Sequence, residues 1–227
     1  MDWRELPIHI IDFEGSRRSG IVEYGVVTLK GGAIAATHTR FCRPMGVIVS
    51  EETRLHGIRD TDTCAAAPFS EEWSFFCELR RTGPLGAHYA SMEHGLLKAV
   101  WPYPMQCPDF LHPPRHVAQW GPWIDTCRLF EEVFPGLPAY KLHFLIDHFS
   151  LRHSLNRLAE RHCPVQRRRV HAALYDALAA ALLLKHLGRQ EGFQSMELDW
   201  LLTRSAPCAV RRQSLRQEDW FSLWSDL

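Results

Sequence analysis

The stretch His9–Arg18, HIIDFEGSRR, sets two acidic residues one position apart directly after an apolar run. The apolar residues from Ile8 to Phe13 predict a central β-strand that is buried on both faces. Side chains at positions i and i+2 of a strand point to the same side, so Asp12 and Glu14 would repel each other at close range. A shared proton or a cation would relieve this repulsion, and so would solvent if the strand simply ends there.

The rest of the chain alternates between strand and helix patterns. Two β-rich runs surround Gly31-Gly32, which predicts a hairpin. A short buried strand is predicted at 83–88, and a strand end that runs into a helix at 123–134. Further helices are predicted at 50–56, 68–81, 91–101, 140–149, 154–162 and 171–187. Strands first, then helices alternating with strands, predict an α/β fold with a mixed central sheet flanked by helices.

Composition limits the classes of function. The 227 residues can bury a substantial core, and 26 basic residues balance 26 acidic ones. Without bulk positive charge, any contact with nucleic acid would depend on local clusters, namely Arg17-Arg18, Arg167-Arg168-Arg169 and Arg211-Arg212. No stretch reaches the length of a membrane-spanning helix, so we expect no membrane contact. Seven scattered cysteines predict reduced thiols in a cytoplasmic protein.

A proline-rich segment offers one possible zinc site. Residues 102–122 lack periodicity and predict an inserted loop. Cys107, His112 and His116 fall in this segment, and Cys127 follows it. Their irregular spacing and the prolines argue against a zinc site, and the alternative is a surface loop.

Four carboxylates and one histidine could form a site for two cations. Asp12 and Glu14 end the first strand, and Glu93 lies in the first turn of the helix after a second buried strand. His171 and Asp176 belong to the predicted helix 171–187. Mg²⁺ and Mn²⁺ prefer oxygen ligands, and two such ions can stabilise the attacking and leaving oxygens of a phosphoryl displacement. Residues five apart diverge on a regular helix, so His171 must precede the helix or distort its first turn. Alternatively, each of these side chains is an ordinary surface residue.

In this order the motifs resemble the DEDDh family of 3′–5′ exonucleases, which includes polymerase proofreading subunits, ribonuclease T and oligoribonuclease. The matching elements are Asp12-Phe13-Glu14, Val22-Glu23-Tyr24-Gly25, His56-Gly57-Ile58, Ile124-Asp125-Thr126, and His171 with Asp176. The resemblance spans residues 6–187, and one position departs from it, because Glu93 stands where the family has Asp. A glutamate can still bind a cation, but on a longer arm.

The resemblance implies a ribonuclease H-like fold and a two-metal-ion 3′–5′ exonuclease that acts on single-stranded DNA or RNA and releases nucleoside 5′-monophosphates. The implied metal ligands for two Mg²⁺ or Mn²⁺ ions are Asp12, Glu14, Glu93 and Asp176. The implied catalytic residues are His171, as general base, and Glu14. The 3′-terminal nucleotide is expected near Phe13, Gly15, His56 and Ile58.

The resemblance also sets expectations for domains and partners. Residues 1–187 would form the exonuclease domain, with the insert at 102–122, and residues 188–227 would form an extension packed on it. The expected partner is nucleic acid with a free 3′ end, and a homodimer or a polymerase partner is possible. Two alternatives stay open: a weakly active nucleic-acid-binding module, with Glu93 as a sign of decay, and a polymerase-associated proofreading-type module.

Overall fold

A computed structural model describes residues 1–206 of the chain. In chain order its strands are β1 (Ile8–Ser16), β2 (Gly20–Lys30), β3 (Ala33–Phe41), β4 (Leu85–Ala87), β5 (Cys107–Pro108), β6 (His116–Val117) and β7 (Ile124–Asp125). Five of them form one sheet in the order β3-β2-β1-β4-β7, while β5 and β6 pair separately. The β1–β2 and β2–β3 pairs are antiparallel, and the β1–β4 and β4–β7 pairs are parallel. The predicted mixed sheet is therefore confirmed, and β2 and β3 form the predicted hairpin.

The helices are α1 (Ser50–His56), α2 (Asp60–Thr63), α3 (Trp73–Thr82), α4 (Ala90–Val100), α5 (Thr126–Val133), α6 (Leu142–His148), α7 (Arg152–His162), α8 (Ala173–Leu187) and α9 (Leu198–Arg204). The helix predicted at 68–81 is divided, because its first residues form a separate 3₁₀ turn, Phe69–Glu72. The four-residue α2 was not predicted, since one turn is too short to show periodicity. Within residues 1–206, no helix is both long and apolar enough to cross a bilayer.

Helix α8 fills one face of the sheet. Thirteen of its fifteen residues are buried, because α6 and α7 cover the side that does not contact β1 and β2. The helix comes closest to the sheet at Gly25, where an added Cβ would lie 2.3 Å from the backbone nitrogen of Leu174. Gly25 thereby lets the first turn of α8 approach the end of β1.

The opposite face of the sheet is covered by an aromatic cluster. Phe13 packs edge-on against Phe69, with 5.4 Å between ring centroids, and also contacts Phe76. Side chains alternate along a strand, so Ile10 packs on the α8 side while Phe13 packs on the aromatic side. The same alternation places Asp12, with Ile10, on the side of α8.

The proline-rich insert is attached to α3 by one buried arginine. Arg80 is only 1% exposed and donates hydrogen bonds to the carbonyls of Gln119 (3.0 Å), Pro108 (3.0 Å) and Gly121 (3.2 Å). Its guanidinium also lies over the Phe110 ring, 5.1 Å from the centroid. The segment predicted as a loop therefore contains the small β5–β6 hairpin and is fixed to the body.

The chain after α8 returns to the N-terminus and to β7. The backbone nitrogen of Trp3 donates to the carbonyl of Met196 (3.3 Å), and that of Asp125 donates to the Ser205 hydroxyl (2.8 Å). The remainder of the predicted extension, residues 207–227, lies outside the described residues, together with the arginine pair noted there.

Candidate active site

The first two acids lie at the carboxyl end of β1. Asp12 is half-buried and Glu14 is only 6% exposed. The strand pairing shifts between Glu14 and Gly15, and Gly15 has a φ of +125°. A Cβ at Gly15 would lie 2.1 Å from the carbonyl oxygen of Gly20, so this irregular end of the strand requires glycine. The acids thus project from a strand end whose backbone is closely constrained.

Asp176 and His171 meet although five positions separate them. Asp176 lies in the first turn of α8, whereas His171 precedes the helix with a φ of +59°. The backbone nitrogen of His171 donates to Asp176 Oδ2 at 3.0 Å. Ligand atoms of Glu14, His171 and Asp176 all lie within 4.8 Å of one another, and no other such group of three or more occurs in residues 1–206.

Glu93 is positioned by an aspartate on another segment. Asp125 ends β7, and its carboxylate accepts hydrogen bonds from the backbone nitrogens of Tyr89 (3.2 Å), Ala90 (3.0 Å) and Cys127 (3.0 Å). One carboxylate therefore caps the starts of both α4 and α5. This fixes the first turn of α4, where Glu93 is only 6% exposed.

Three carboxylates of the site have raised pKa values. Burial raises the pKa of Glu14 and of Glu93 to about 8 each, and for Glu14 the charge of Asp176 adds to the shift. Burial, followed by the charges of Asp176 and Glu14, also raises the pKa of Asp12 well above its ordinary value. Glu93 Oε2 is buried and has no hydrogen-bond partner among the described residues. The converging oxygens of Glu14 and Asp176 fit a hard divalent cation such as Mg²⁺ or Mn²⁺, whereas Asp12 and Glu93 are not in the group within 4.8 Å.

The alternative zinc ligands do not come together. Cys107 Sγ donates to the Met105 carbonyl, and His112 Nδ1 lies 3.2 Å from Asp109 Oδ2. Cys127 lies apart from them in the first turn of α5. In the part of the chain that the structure describes, these cysteines and histidines form no group of three with converging ligand atoms.

The residues expected near the 3′-terminal nucleotide have mostly buried side chains. Phe13 is 6% exposed within the aromatic cluster, and His56 and Ile58 are each 1% exposed. His56 Nδ1 accepts a hydrogen bond from the Ile58 backbone nitrogen (3.0 Å), and the exposed Gly57 between them has a φ of +70°. The position of the 3′-terminal nucleotide near these residues and Gly15 stays a prediction.

A buried ion pair that the sequence did not indicate links the site to its surroundings. Arg167, in a predicted basic cluster, is instead buried and binds Glu23 through two hydrogen bonds of 2.9 and 2.5 Å. It also donates to the carbonyls of His56 (2.6 Å) and His171 (3.1 Å). Glu23 lies in one of the matching motifs, but nothing in the pattern identified Arg167 as its partner.

A second histidine reaches the site from α6. His143 Nε2 lies 2.6 Å from Asp176 Oδ1. The two residues are 33 positions apart, and His143 belongs to none of the family elements found in the sequence. Sequence reasoning had no signal that could find this contact.

The comparisons with known proteins concern the fold. No family model and no curated protein matches the sequence. Exonuclease X in complex with 5′-overhanging duplex DNA is similar, with a TM-score of 0.62 and 21% identity over 88% of this chain and 99% of that chain. The nuclease domain of 3′hExo, a DEDDh family member bound to rAMP, has a TM-score of 0.57 and 17% identity over 86% of this chain and 98% of that chain. E. coli Exonuclease I with a dT13 oligonucleotide has a TM-score of 0.57 and 11% identity over 82% of this chain and 42% of that chain. The chain therefore has the ribonuclease H-like fold of DEDDh-family exonucleases, as predicted.

Proposed function

We propose that this protein is a metal-dependent 3′–5′ exonuclease that hydrolyses phosphodiester bonds at the 3′ end of single-stranded DNA or RNA and releases nucleoside 5′-monophosphates. The observation that supports this most directly is the convergence of Glu14, His171 and Asp176 within 4.8 Å at the end of β1. The similar structures point the same way, since they are exonucleases bound to DNA or to rAMP.

Four carboxylates would hold two Mg²⁺ or Mn²⁺ ions, namely Asp12, Glu14, Glu93 and Asp176. When bound, such ions stabilise charge on the attacking and leaving oxygens of the phosphodiester. The acids themselves come from β1, α4 and α8, so three separate segments fix their relative positions.

His171 would act as the general base that takes a proton from the attacking water. Histidine is the side chain that most often serves as a general base. Its main chain is held at both ends, because its nitrogen donates to Asp176 and its carbonyl accepts from Arg167. The imidazole is half-buried beside the carboxylates, so it can reach a water bound there.

An arginine-lined groove supports a nucleic-acid substrate. The groove has a volume of about 530 Å³ and contacts Gly57 and Ile58 as well as Arg40 and Arg169. Arg169 is exposed, whereas Arg40 is half-buried and forms an ion pair with Glu72. Guanidinium groups bind phosphate through paired hydrogen bonds. We propose that phosphates of the substrate strand follow this groove, which would make substrate binding weaken with added salt.

We also propose a cytoplasmic location. The six cysteines among the described residues are free thiols, as expected in a reducing compartment.

The proposal is tested with DNA and RNA oligonucleotides labelled at either end and incubated with the protein in Mn²⁺ or Mg²⁺. We expect 5′-labelled substrates to give a ladder that shortens from the 3′ end, and 3′-labelled substrates to release labelled mononucleotide. EDTA should abolish both, and undiminished hydrolysis in EDTA would overturn the two-metal mechanism. Binding without hydrolysis in either metal would instead support the weakly active binding module.

A further inference from the structure

His143 is held in a defined hydrogen-bonding state next to Asp176. Its Nε2 lies 2.6 Å from Asp176 Oδ1, and its ring stacks on Tyr175 with 5.8 Å between centroids and 23° between planes. The imidazole side chain is 20% exposed and that of Asp176 is 8% exposed, so the contact is largely shielded from solvent.

Arg152 determines which ring nitrogen of His143 carries the proton. Arg152 Nη1 lies 3.2 Å from His143 Nδ1. A guanidinium has only donors, so Nδ1 must accept and the proton must reside on Nε2. The direction of the second bond follows, because Nε2–H can only donate to Asp176 Oδ1.

Arg152 is itself fixed by a carboxylate. Its Nε and Nη2 bind the two oxygens of Asp147 at 2.8 Å each, and Nη2 also lies 3.4 Å from the His143 carbonyl oxygen. The bidentate pair fixes the plane of the guanidinium. A continuous series of hydrogen bonds thus runs from Asp147 through Arg152 and His143 to Asp176.

We propose that His143 is a positioning residue for Asp176 as a metal ligand, an inference that rests on the proposed function. His143 binds Oδ1, while the His171 backbone nitrogen binds Oδ2 at 3.0 Å. Two donors therefore hold the carboxylate from both oxygens, and it cannot rotate away from Glu14. Partners of this kind orient a metal ligand and tune its affinity. The two histidines have separate tasks, since His143 acts on Asp176 through its ring and His171 through its main chain.

The test is calorimetric titration of the full chain with Mn²⁺, without substrate. His143→Phe keeps an aromatic ring but removes the donor, and should weaken Mn²⁺ binding by about 10- to 100-fold. His143→Gln places an amide N–H near the position of Nε2 and should restore most of the affinity. His148→Phe, on the exposed face of the same helix, is the matched control and should bind Mn²⁺ as the unaltered protein does.

A second pair of variants tests the role of Arg152. Arg152→Met frees His143 to adopt either tautomer and should weaken Mn²⁺ binding less than His143→Phe does. Arg81→Met is the control, because Arg81 forms a similar bidentate pair with Glu78, at 2.7 and 2.6 Å, on the exposed surface of α3.

Three outcomes would contradict the inference or its premise. Unchanged Mn²⁺ affinity in folded His143→Phe would overturn the positioning role. Loss of binding as complete as in Asp176→Asn, with no rescue by His143→Gln, would make His143 a metal ligand instead. Absence of Mn²⁺ binding by the unaltered protein would contradict the proposed function itself, whatever His143 does.

Discussion

Asp176 is a third acidic residue close to Asp12 and Glu14. Asp176 is the largest charge contribution that raises the pKa of either residue. Arg167, whose charge also acts on Glu14, is bound to Glu23. Three neighbouring carboxylates, two of them buried, are stabilised at this site by bound protons or a cation. The like charges at the end of the first strand are thus explained by the divalent cations that we propose.

His171 offers the sharpest test of a single catalytic group. We expect His171→Ala to reduce the rate by roughly two to four orders of magnitude, because loss of a general base has effects of that size. His171→Asn should do the same and better tolerates the positive φ at this position. Rates are measured on a labelled oligonucleotide, and Mn²⁺ affinity is measured separately by calorimetry.

Metal affinity separates the two possible roles of His171. The affinity should survive in both variants, and His153→Ala on the exposed face of α7 should change neither quantity. If affinity and rate fall in proportion, His171 is a metal ligand and not the general base.

Glu93 is the position that departs from the family pattern. Its side chain is one methylene longer than aspartate, and Asp125 fixes the helix start that carries it. Glu93→Asp should therefore fall short of the cation and lower the rate at least about tenfold, more in Mg²⁺ than in Mn²⁺, because Mg²⁺ demands near-ideal geometry. Glu93→Gln should lower it further.

The comparison uses single-turnover rates in each metal, with Glu71→Asp on an exposed turn as control. Unchanged rates for Glu93→Gln in both metals would show that this carboxylate is not a ligand.

The packing of α8 against β2 sets the distance between Asp176 and β1. Gly25→Ala would place a methyl 2.3 Å from the Leu174 nitrogen, a contact that only a shift of the helix or strand can relieve. Overpacking of this kind costs about 1–3 kcal/mol, and here it should also weaken Mn²⁺ binding because Asp176 moves with the helix. The free energy of unfolding and the Mn²⁺ affinity are the measurements.

Gly95 provides the matched control within α4. A Cβ there meets nothing nearer than an Arg17 nitrogen at 3.9 Å, so Gly95→Ala should stabilise the protein by about 0.5–1 kcal/mol through its helix propensity. Equal effects of the two substitutions would show that close approach at Gly25 does not matter.

The assembled acids make the stability of the entire fold depend on pH. The pKa values of Glu14 and Glu93 rise to about 8 from an ordinary 4.5, so the folded chain holds more protons than the unfolded chain between these values. Stability contributed by these groups therefore falls as the pH rises towards 8. Burial lowers the pKa values of His9 and His88 to about 4, so the unfolded chain binds more protons at these residues between pH 4 and about 6.5. Over that range they make stability rise with pH, and above it they contribute little. Between pH 6.5 and 8, the change of stability with pH therefore comes mainly from Glu14 and Glu93.

Thermal unfolding in EDTA should accordingly show a lower Tm at pH 8 than at pH 6.5. Mn²⁺ should raise the Tm more at pH 8, because the cation replaces the protons and binds the folded state. Asp12→Asn removes one charge and should raise the Tm at pH 8 in EDTA while reducing the gain from Mn²⁺. A Tm in EDTA that rises from pH 6.5 to 8 would contradict this account.

The sequence by itself determined the sheet, its hairpin and the long helix α8. These features depend on local patterns: the apolar run of β1, the glycine pair between β2 and β3, and the alanine- and leucine-rich run of α8. The spacing of His171 and Asp176 required that the histidine precede the helix or distort its first turn, and in the structure it precedes the helix. Local sequence suffices here because strand and helix periods bring nearby residues onto one face.

Only the tertiary structure decided which distant groups support the site. Arg80 fixes the insert through main-chain carbonyls, Arg167 binds Glu23 across 144 positions, and His143 reaches Asp176 from another helix. None of these contacts has a sequence period, because a carbonyl is present at every residue and an arginine or histidine can serve many partners. Their partners are chosen by how the helices and loops pack against the sheet, which no local pattern encodes.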